Sequence, residues 1–203
     1  MLDEGDAELG HGARLPHMPF AVIVLAGGRA SRLGGSDKAS IELDGRTLLE
    51  HALDALTDAD EVVVVGDPVP TTRPVTFVRE SPRYGGPVAA LLTGRDALLR
   101  TPTTLGLLAV DMPRVSAWTF RRLRDAAVGH DGAFLTDGDG RRQLAGVVAL
   151  DRLDGVRPDH EAQHGMALRV LLADLDLALV PSDGDEGRDV DSWADLRGLR
   201  EAP

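Results

Sequence analysis

The feature that most constrains the fold is a short apolar run, residues 20–26, that passes directly into a glycine-rich loop. A continuous apolar segment of this length is typical of a strand buried on both faces. The following residues, 27–38, contain four glycines together with Arg32 and Lys38. Glycines let a ligand approach the main chain, and clustered N–H groups with cationic side chains form an anion site. The segment therefore predicts a strand whose end binds a polyphosphate.

Strand-like and helix-like segments alternate along most of the chain. Strands are predicted at 20–26, 61–65, 75–78, 105–110, 133–136, 143–150 and 177–180, and helices at 48–56, 87–99, 116–128, 166–175 and 192–200. This order predicts an α/β fold with a mostly parallel sheet covered by helices on both faces. Ligands of such folds bind beyond the carboxyl ends of strands, here after Ala26, after Val78 and at Asp111.

Composition narrows the function classes. The chain has 33 acidic and 22 basic side chains and a net charge of −11, which argues against nonspecific nucleic-acid binding. It has no cysteine, so disulfides and thiolate-held metals are excluded. No apolar stretch approaches the roughly 20 residues that cross a bilayer. We expect a disordered acidic tail at residues 1–18, one domain at 19–203, a cytoplasmic location and no membrane partner.

The loop after the first strand matches neither common phosphate-binding motif. Lys38 is followed by Ala39, so the P-loop spacing is absent. The glycines fall at 27, 28, 34 and 35, which also rules out the spacing of dinucleotide-binding loops. The alternative to a polyphosphate site is a flexible turn with solvated charges.

Two acidic positions are candidates for metal binding. Asp111 follows an apolar strand, and Mg²⁺ is usually held by one or two carboxylates together with phosphate oxygens and water. An Asx-turn is the alternative role for Asp111. Asp189 and Asp191 form a second acidic pair, of which Asp191 is the preferred metal ligand. Either of them could instead cap the last helix, a role for which Ser192 competes.

Residues 25–39, LAGGRASRLGGSDKA, resemble the LAGGxSxRxGxxDK signature of the nucleotidyltransferase family that includes molybdenum cofactor guanylyltransferase. Further similar segments lie at 42–53, 85–91, 109–113, 143–150 and 189–196, so the resemblance covers nearly everything after residue 20. It implies a Rossmann-like, three-layer α/β/α nucleotidyltransferase fold. It also implies Mg²⁺-dependent transfer of a nucleoside monophosphate from a nucleoside triphosphate to a phosphorylated acceptor.

The resemblance also implies roles for individual residues. Lys38, Arg32 and Asp111 would be catalytic, and Asp111 and Asp191 would hold the metal. The nucleotide would be bound by Leu25, Ala26, Gly27, Gly28, Arg32, Lys38, Glu80, Gly86 and Asp111, and the acceptor by Arg142, Gln143, Arg169 and Asp189. Two departures leave the base open: Gly66 replaces the asparagine of the guanylyltransferases, and Glu80 stands where aspartate is usual.

The leading hypothesis is transfer of GMP from GTP to a molybdopterin-type acceptor, with transient contacts to other enzymes of molybdenum cofactor synthesis. An enzyme alternative keeps the fold but uses CTP as the nucleotide donor, or transfers the nucleotide to a sugar phosphate or another phosphorylated metabolite. A second alternative is a module that binds a nucleotide without catalysis, against which the presence of Lys38 and Asp111 argues.

Overall fold

The structure is a computed structural model that describes residues 19–27, 37–81 and 83–201. The predicted acidic tail at 1–18 lies outside the described residues, as do Gly28 and Arg32 of the glycine-rich loop.

Strands and helices alternate in the order that the sequence predicts. The strands are β1 (Phe20–Leu25), β2 (Glu42–Leu43), β3 (Arg46–Thr47), β4 (Glu61–Val65), β5 (Thr76–Val78), β6 (Thr104–Ala109), β7 (Gly132–Thr136), β8 (Arg142–Ala149) and β9 (Leu177–Pro181). The α-helices are α1 (Leu48–Asp54), α2 (Pro87–Asp96), α3 (Ala117–Ala126), α4 (Leu150–Gly155), α5 (Leu168–Leu171) and α6 (Trp193–Glu201). None of the helices within the described ranges has the length and apolar character needed to span a membrane.

The main sheet has the strand order β5-β4-β1-β6-β8-β7-β9. β1 pairs in parallel with β4 on one side and β6 on the other, and β8 alone runs antiparallel to its neighbours. β8 is reversed because a tight turn joins it to β7, where Asp137 Oδ1 accepts from the main-chain nitrogens of Asp139 and Arg141. The predicted mostly parallel α/β sheet is confirmed.

The sheet separates two apolar layers, as the alternation of side chains along β1 requires. Val22 and Val24 pack on one face with residues of α1, α3 and α6. Ile23 and Leu25 pack on the other face with residues of α2, α4 and α5. All four side chains are buried, so β1 lies at the centre of a three-layer α/β/α domain.

The prediction of one helix over 166–175 is wrong, because only α5 is helical there. The preceding segment folds as α4 and a 3₁₀ helix at His160–Gln163, neither of which the sequence pattern indicated. Tertiary contacts decide this region. The buried Gln163 donates from Nε2 to the Pro158 carbonyl at 3.1 Å, and Gly165 N donates to the Gly85 carbonyl at 2.7 Å.

Helix α2 approaches the sheet closely through Gly94. A Cβ added there would lie 2.7 Å from Cγ2 of Ile23 and 2.9 Å from Cγ2 of Val65. We expect Gly94→Ala to lower the free energy of unfolding by about 1–3 kcal/mol through overpacking, although alanine is the better helix former. Urea unfolding measures the change. Gly155→Ala is the control, because a Cβ there meets nothing within 4 Å. Unchanged stability of Gly94→Ala would contradict the close packing.

Candidate active site

The carboxyl ends of four parallel strands are tied together at one edge of the sheet. Ala26 N and Gly27 N both donate to the Val65 carbonyl at 2.9 Å, and Gly66 N donates to the Val78 carbonyl at 2.9 Å. Val110 N donates to the Leu25 carbonyl at 3.1 Å. The segments that follow β1, β4, β5 and β6 therefore start from the same edge, as ligand crevices of this fold class require.

Lys38 is the first residue of a short 3₁₀ helix, Lys38–Ser40, and its side chain lies at this edge of the sheet. Asp37 caps that helix, because its Oδ1 accepts from Ala39 N at 3.1 Å, and the side chain of Ala39 is fully buried below it. The Lys38 ammonium Nζ donates to Oδ2 of Asp111 and to Oδ1 of Asp191, at 2.7 Å each. The side chains of Lys38 and Asp111 are only 17% and 19% exposed, whereas that of Asp191 is 52% exposed.

Asp191 lies beside Lys38 because the preceding residue, Val190, is hydrogen-bonded to Asp111, two residues after the end of β6. Val190 is fully buried, and its N–H donates to the Asp111 carbonyl at 2.8 Å. Ser192 and Asp195 supply the cap of α6: Ser192 Oγ accepts from Asp195 N at 3.3 Å and donates to Asp195 Oδ2 at 2.7 Å. The Asp191 carboxylate therefore pairs with Lys38 and does not act as the helix cap.

The electrostatics of this cluster favour a bound cation. Burial alone would lower the pKa of Lys38, but hydrogen bonds to Asp111 and Asp191 outweigh burial and raise it. The pKa of Asp189 is raised by partial burial of its carboxyl and then by the negative charges of Asp191 and Asp111. One ammonium thus faces three carboxylates, which leaves the cluster with excess negative charge when all are ionised.

A divalent metal fits the oxygen pair of Asp111 and Asp191. Among the described residues, no group of three or more acidic or histidine side chains is placed to form a metal site from protein ligands alone. Two aspartate oxygens nevertheless hold one ammonium between them, so this oxygen pair already binds a cation. Carboxylate oxygens completed by substrate phosphate and water are the donor set that Mg²⁺ prefers.

The structure explains why Gly66 stands where the similar guanylyltransferases have an asparagine. A Cβ at this position would lie 3.0 Å from Ala26 Cβ and 3.3 Å from the Ala26 carbonyl carbon. An asparagine could fit only if the main chain after β1 moved away. The next residue, Asp67, instead pairs with Arg79 through a 2.7 Å bond from Nε to Oδ1. Sequence reasoning missed this pair, although opposite charges just after two adjacent strands could have indicated it.

Glu80 and Gly86 lie in the loop between β5 and α2. Glu80 Oε1 accepts from Tyr84 N at 2.5 Å, which closes a turn in which Tyr84 has a φ of +60°. Gly86 has a φ of +91° at the start of α2, and a Cβ there would lie 3.6 Å from Gly165 Cα. The positive φ is the reason that glycine is needed at this point of the loop.

The residues predicted to bind the acceptor are not all brought together. Partial burial raises the pKa of Asp189, and the nearby carboxylates of Asp191 and Asp111 raise it further, so Asp189 belongs to the charged surroundings of Lys38. Arg142 lies over the Phe134 ring, with its Cζ 5.6 Å from the ring centroid, and Gln143 Nε2 donates to Asp137 Oδ2 at 3.0 Å. Arg169 is exposed on α5. Within the described part of the chain, no hydrogen bond or ion pair joins these three to the Lys38 cluster.

Glu186 is a further residue that the sequence analysis missed. It is only 8% exposed and accepts from Thr119 Oγ1 at 2.6 Å, Arg122 Nη1 at 2.7 Å and Asp183 N at 2.7 Å. Arg122 also donates to the Pro181 carbonyl at 2.7 Å. These bonds attach the segment after β9 to α3, three residues before Asp189. A glutamate in a polar loop carries no local signal of such burial.

We expect Glu186→Gln to lower the free energy of unfolding by about 1–3 kcal/mol, because it leaves the Arg122 guanidinium without its buried counter-charge. Urea unfolding measures the loss. Glu161→Gln, at an exposed site, is the matched control and should remain within about 0.5 kcal/mol of the unsubstituted protein. Equal stability of the two variants would contradict a stabilising role for Glu186.

The strand order and the charged cluster at the strand ends are those of a Rossmann-like α/β protein with a polar site at the carboxyl edge of its sheet. Residues 22–179 match the family model of the MobA-like NTP transferase domain. The chain therefore belongs to the MobA-like NTP transferase family and is a nucleotidyltransferase.

A curated relative agrees with this family, and solved structures share the fold. A Mycobacterium tuberculosis protein named "Probable molybdenum cofactor guanylyltransferase" is 35% identical over 147 residues, which is 68% of this chain and 72% of that protein. The crystal structure of Rv0371c from the same organism has a TM-score of 0.72 at 21% identity and covers 91% of this chain and 100% of its own. A complex of Rv0371c with manganese has a TM-score of 0.68 at 19% identity, with the same coverage. Molybdopterin-guanine dinucleotide biosynthesis protein A from Archaeoglobus fulgidus has a TM-score of 0.70 at 18% identity, covering 89% and 97%.

Proposed function

We propose that this nucleotidyltransferase moves GMP from GTP to molybdopterin-bound molybdenum cofactor and releases pyrophosphate in a Mg²⁺-dependent reaction. The observation that carries the proposal is the Lys38 ammonium held between Asp111 and Asp191 at the carboxyl edge of the sheet. The 35% identical relative named as a molybdenum cofactor guanylyltransferase supports the choice of acceptor and base.

The chemistry needs no nucleophilic side chain. A phosphate oxygen of the acceptor attacks the α-phosphorus of GTP, and pyrophosphate leaves, so the protein must align the groups and stabilise the developing charge. Lys38 would donate to an α-phosphate oxygen as negative charge grows there. Asp111 and Asp191 would hold Mg²⁺, which supplies Lewis-acid polarisation and a template for the phosphate oxygens when bound. Arg32 and the 27–35 main chain would hold the leaving pyrophosphate, a prediction that falls mostly outside the described residues.

The base would lie against Leu25, Ala26 and the loop that contains Glu80 and Gly86. The Glu80 carboxylate would accept hydrogen bonds from guanine N1 and N2, and its Oε1 already accepts one from Tyr84 N. The tight packing at Gly66 leaves no room there for the asparagine of the guanylyltransferases. Base choice therefore depends on Glu80 more than the family pattern implies.

The acceptor would be bound by Arg142, Gln143, Arg169 and Asp189. Asp189 is the member of this set whose charge interacts with Asp191, Asp111 and Lys38. The other three would have to act through acceptor groups that extend away from the reacting phosphate. Transient contacts with other molybdenum cofactor enzymes rest on the family resemblance alone.

A pyrophosphate-release screen tests the proposal. The purified protein is given GTP, CTP, ATP or UTP with Mg²⁺, each with and without molybdopterin, and Asp111→Asn is run in parallel as the inactive control. We expect release only with GTP and molybdopterin together. Release with CTP alone among the nucleotides would overturn the guanylyl assignment but keep the class of enzyme. Release without the pterin would point to a different acceptor, and binding of no nucleotide would remove the proposal.

A further inference from the structure

Lys38 is the only lysine in the whole sequence, and the other 21 basic side chains are arginines. Its ammonium lies between two carboxylates and donates to both. An ammonium is a compact point charge, so it binds oxygen atoms much as a small cation does. The guanidinium of an arginine is planar and its charge is delocalised over three nitrogens. Lysine therefore resembles a metal ion at this site more closely than arginine would.

The two aspartate oxygens are each 2.7 Å from Nζ, so they lie within twice that distance of each other. A Mg²⁺ ion that used these two oxygens as ligands would compete for them with the Lys38 ammonium, which already binds both. Two cations on the same pair of oxygens repel each other strongly in a partly buried site. Binding of the metal by this oxygen pair is therefore opposed as long as Lys38 stays in place.

We infer that Lys38 is an internal occupant of the metal position, which the divalent ion displaces when the site is loaded. One part of this inference rests on the proposed function: that the displaced Lys38 ammonium then binds the phosphates of the nucleotide. In the nucleotide-free protein the ammonium offsets part of the negative charge of Asp111 and Asp191 and competes with the metal. When nucleotide arrives, its phosphates accept the displaced ammonium and also complete the coordination of the metal.

Metal and nucleotide binding are therefore coupled. Without a metal, the carboxylates of Asp111, Asp189 and Asp191 outnumber the Lys38 ammonium and repel a triphosphate. Without a nucleotide, a metal that displaces Lys38 leaves the ammonium with no partner. Bound metal therefore raises the affinity for the nucleotide, and bound nucleotide raises the affinity for the metal. The two effects are equal in size by thermodynamic linkage.

The test uses Mn²⁺ binding, followed by electron paramagnetic resonance, in the nucleotide-free protein. We expect Lys38→Met to bind Mn²⁺ about tenfold more tightly than the unsubstituted protein, because the competing ammonium is gone. Arg188→Met is the matched control: it also removes one positive charge from the same segment as Asp191, but its guanidinium pairs with Asp185. Its Mn²⁺ affinity should change by no more than about twofold. Equal or weaker Mn²⁺ binding by Lys38→Met would overturn the inference.

A second measurement needs no variant. Protein labelled with ¹⁵N- and ¹³C-lysine gives the side-chain signals of Lys38 alone, because the chain has no other lysine. We expect the Nζ and Cε signals to shift when Mg²⁺ is added to saturation, and to shift again when GTP joins it. Signals that do not change at saturating Mg²⁺ would contradict the displacement, even if Lys38→Met failed to fold.

The two proposals fail in different ways. The Mn²⁺ affinity and the lysine signals are measured in the nucleotide-free protein, so they do not depend on whether GTP and molybdopterin are the substrates. A negative pyrophosphate screen would therefore leave the competition between Lys38 and the metal standing, whereas tight Mn²⁺ binding with Lys38 undisturbed would remove the competition alone.

Discussion

Asp111→Asn is expected to lower kcat/KM for nucleotidyl transfer by about 10²–10³-fold or more. The substitution keeps the size of the side chain but removes the charge that would hold the metal. It also takes one of two carboxylate partners from Lys38. The bond that attaches the Val190 N–H to this position uses the main-chain carbonyl, so the fold of the segment should persist.

Initial rates of pyrophosphate release measure this effect, and circular dichroism verifies folding. Asp174→Asn is the matched control, because Asp174 is an exposed aspartate outside the strand-end cluster, and its activity should be unchanged. Near-normal turnover by Asp111→Asn would show that the residue neither holds the metal nor positions Lys38.

Lys38→Ala should reduce turnover by a comparable factor, about 10²–10³-fold, because no other described side chain pairs with both Asp111 and Asp191. Lys38→Arg should not restore activity, since a guanidinium is larger and binds phosphate as a planar fork. We also expect Lys38→Ala to be less stable than the unsubstituted protein in the absence of metal, because two carboxylates then face each other without a cation.

Added Mg²⁺ should recover part of that stability, which thermal unfolding with and without Mg²⁺ can measure. The unsubstituted protein should gain less from Mg²⁺ under the same conditions, because Lys38 already reduces the repulsion between the two carboxylates. Full activity in Lys38→Arg would indicate that only the charge at position 38 matters and not its shape.

Local patterns sufficed to predict the architecture. The apolar runs that became β1, β4 and β6 were visible because buried parallel strands need continuous apolar residues. The predicted helix over 116–128 begins with a serine, a residue type that favours helix caps, and in the structure the Ser116 hydroxyl accepts from Thr119 N at the start of α3. The segment 166–175 failed because its leucines fit helical spacing, whereas the link between Gly165 and Gly85 and the burial of Gln163 hold the chain before it in a loop.

By itself, the sequence determined that Lys38 follows a glycine-rich loop after one buried strand and that Asp111 follows another. Parallel strands bring such positions to one edge, so the nearness of these two residues could be inferred from topology alone. Only the tertiary structure decided that Asp191 pairs with Lys38, that Ser192 and Asp195 cap the last helix, and that Glu186 is buried. Lys38 and Asp191 are 153 residues apart, and the contact exists because Val190 is attached to Asp111. The physical reason is that strand and helix periodicity are local properties, whereas the partner of a charged side chain is set by which distant segment packs beside it.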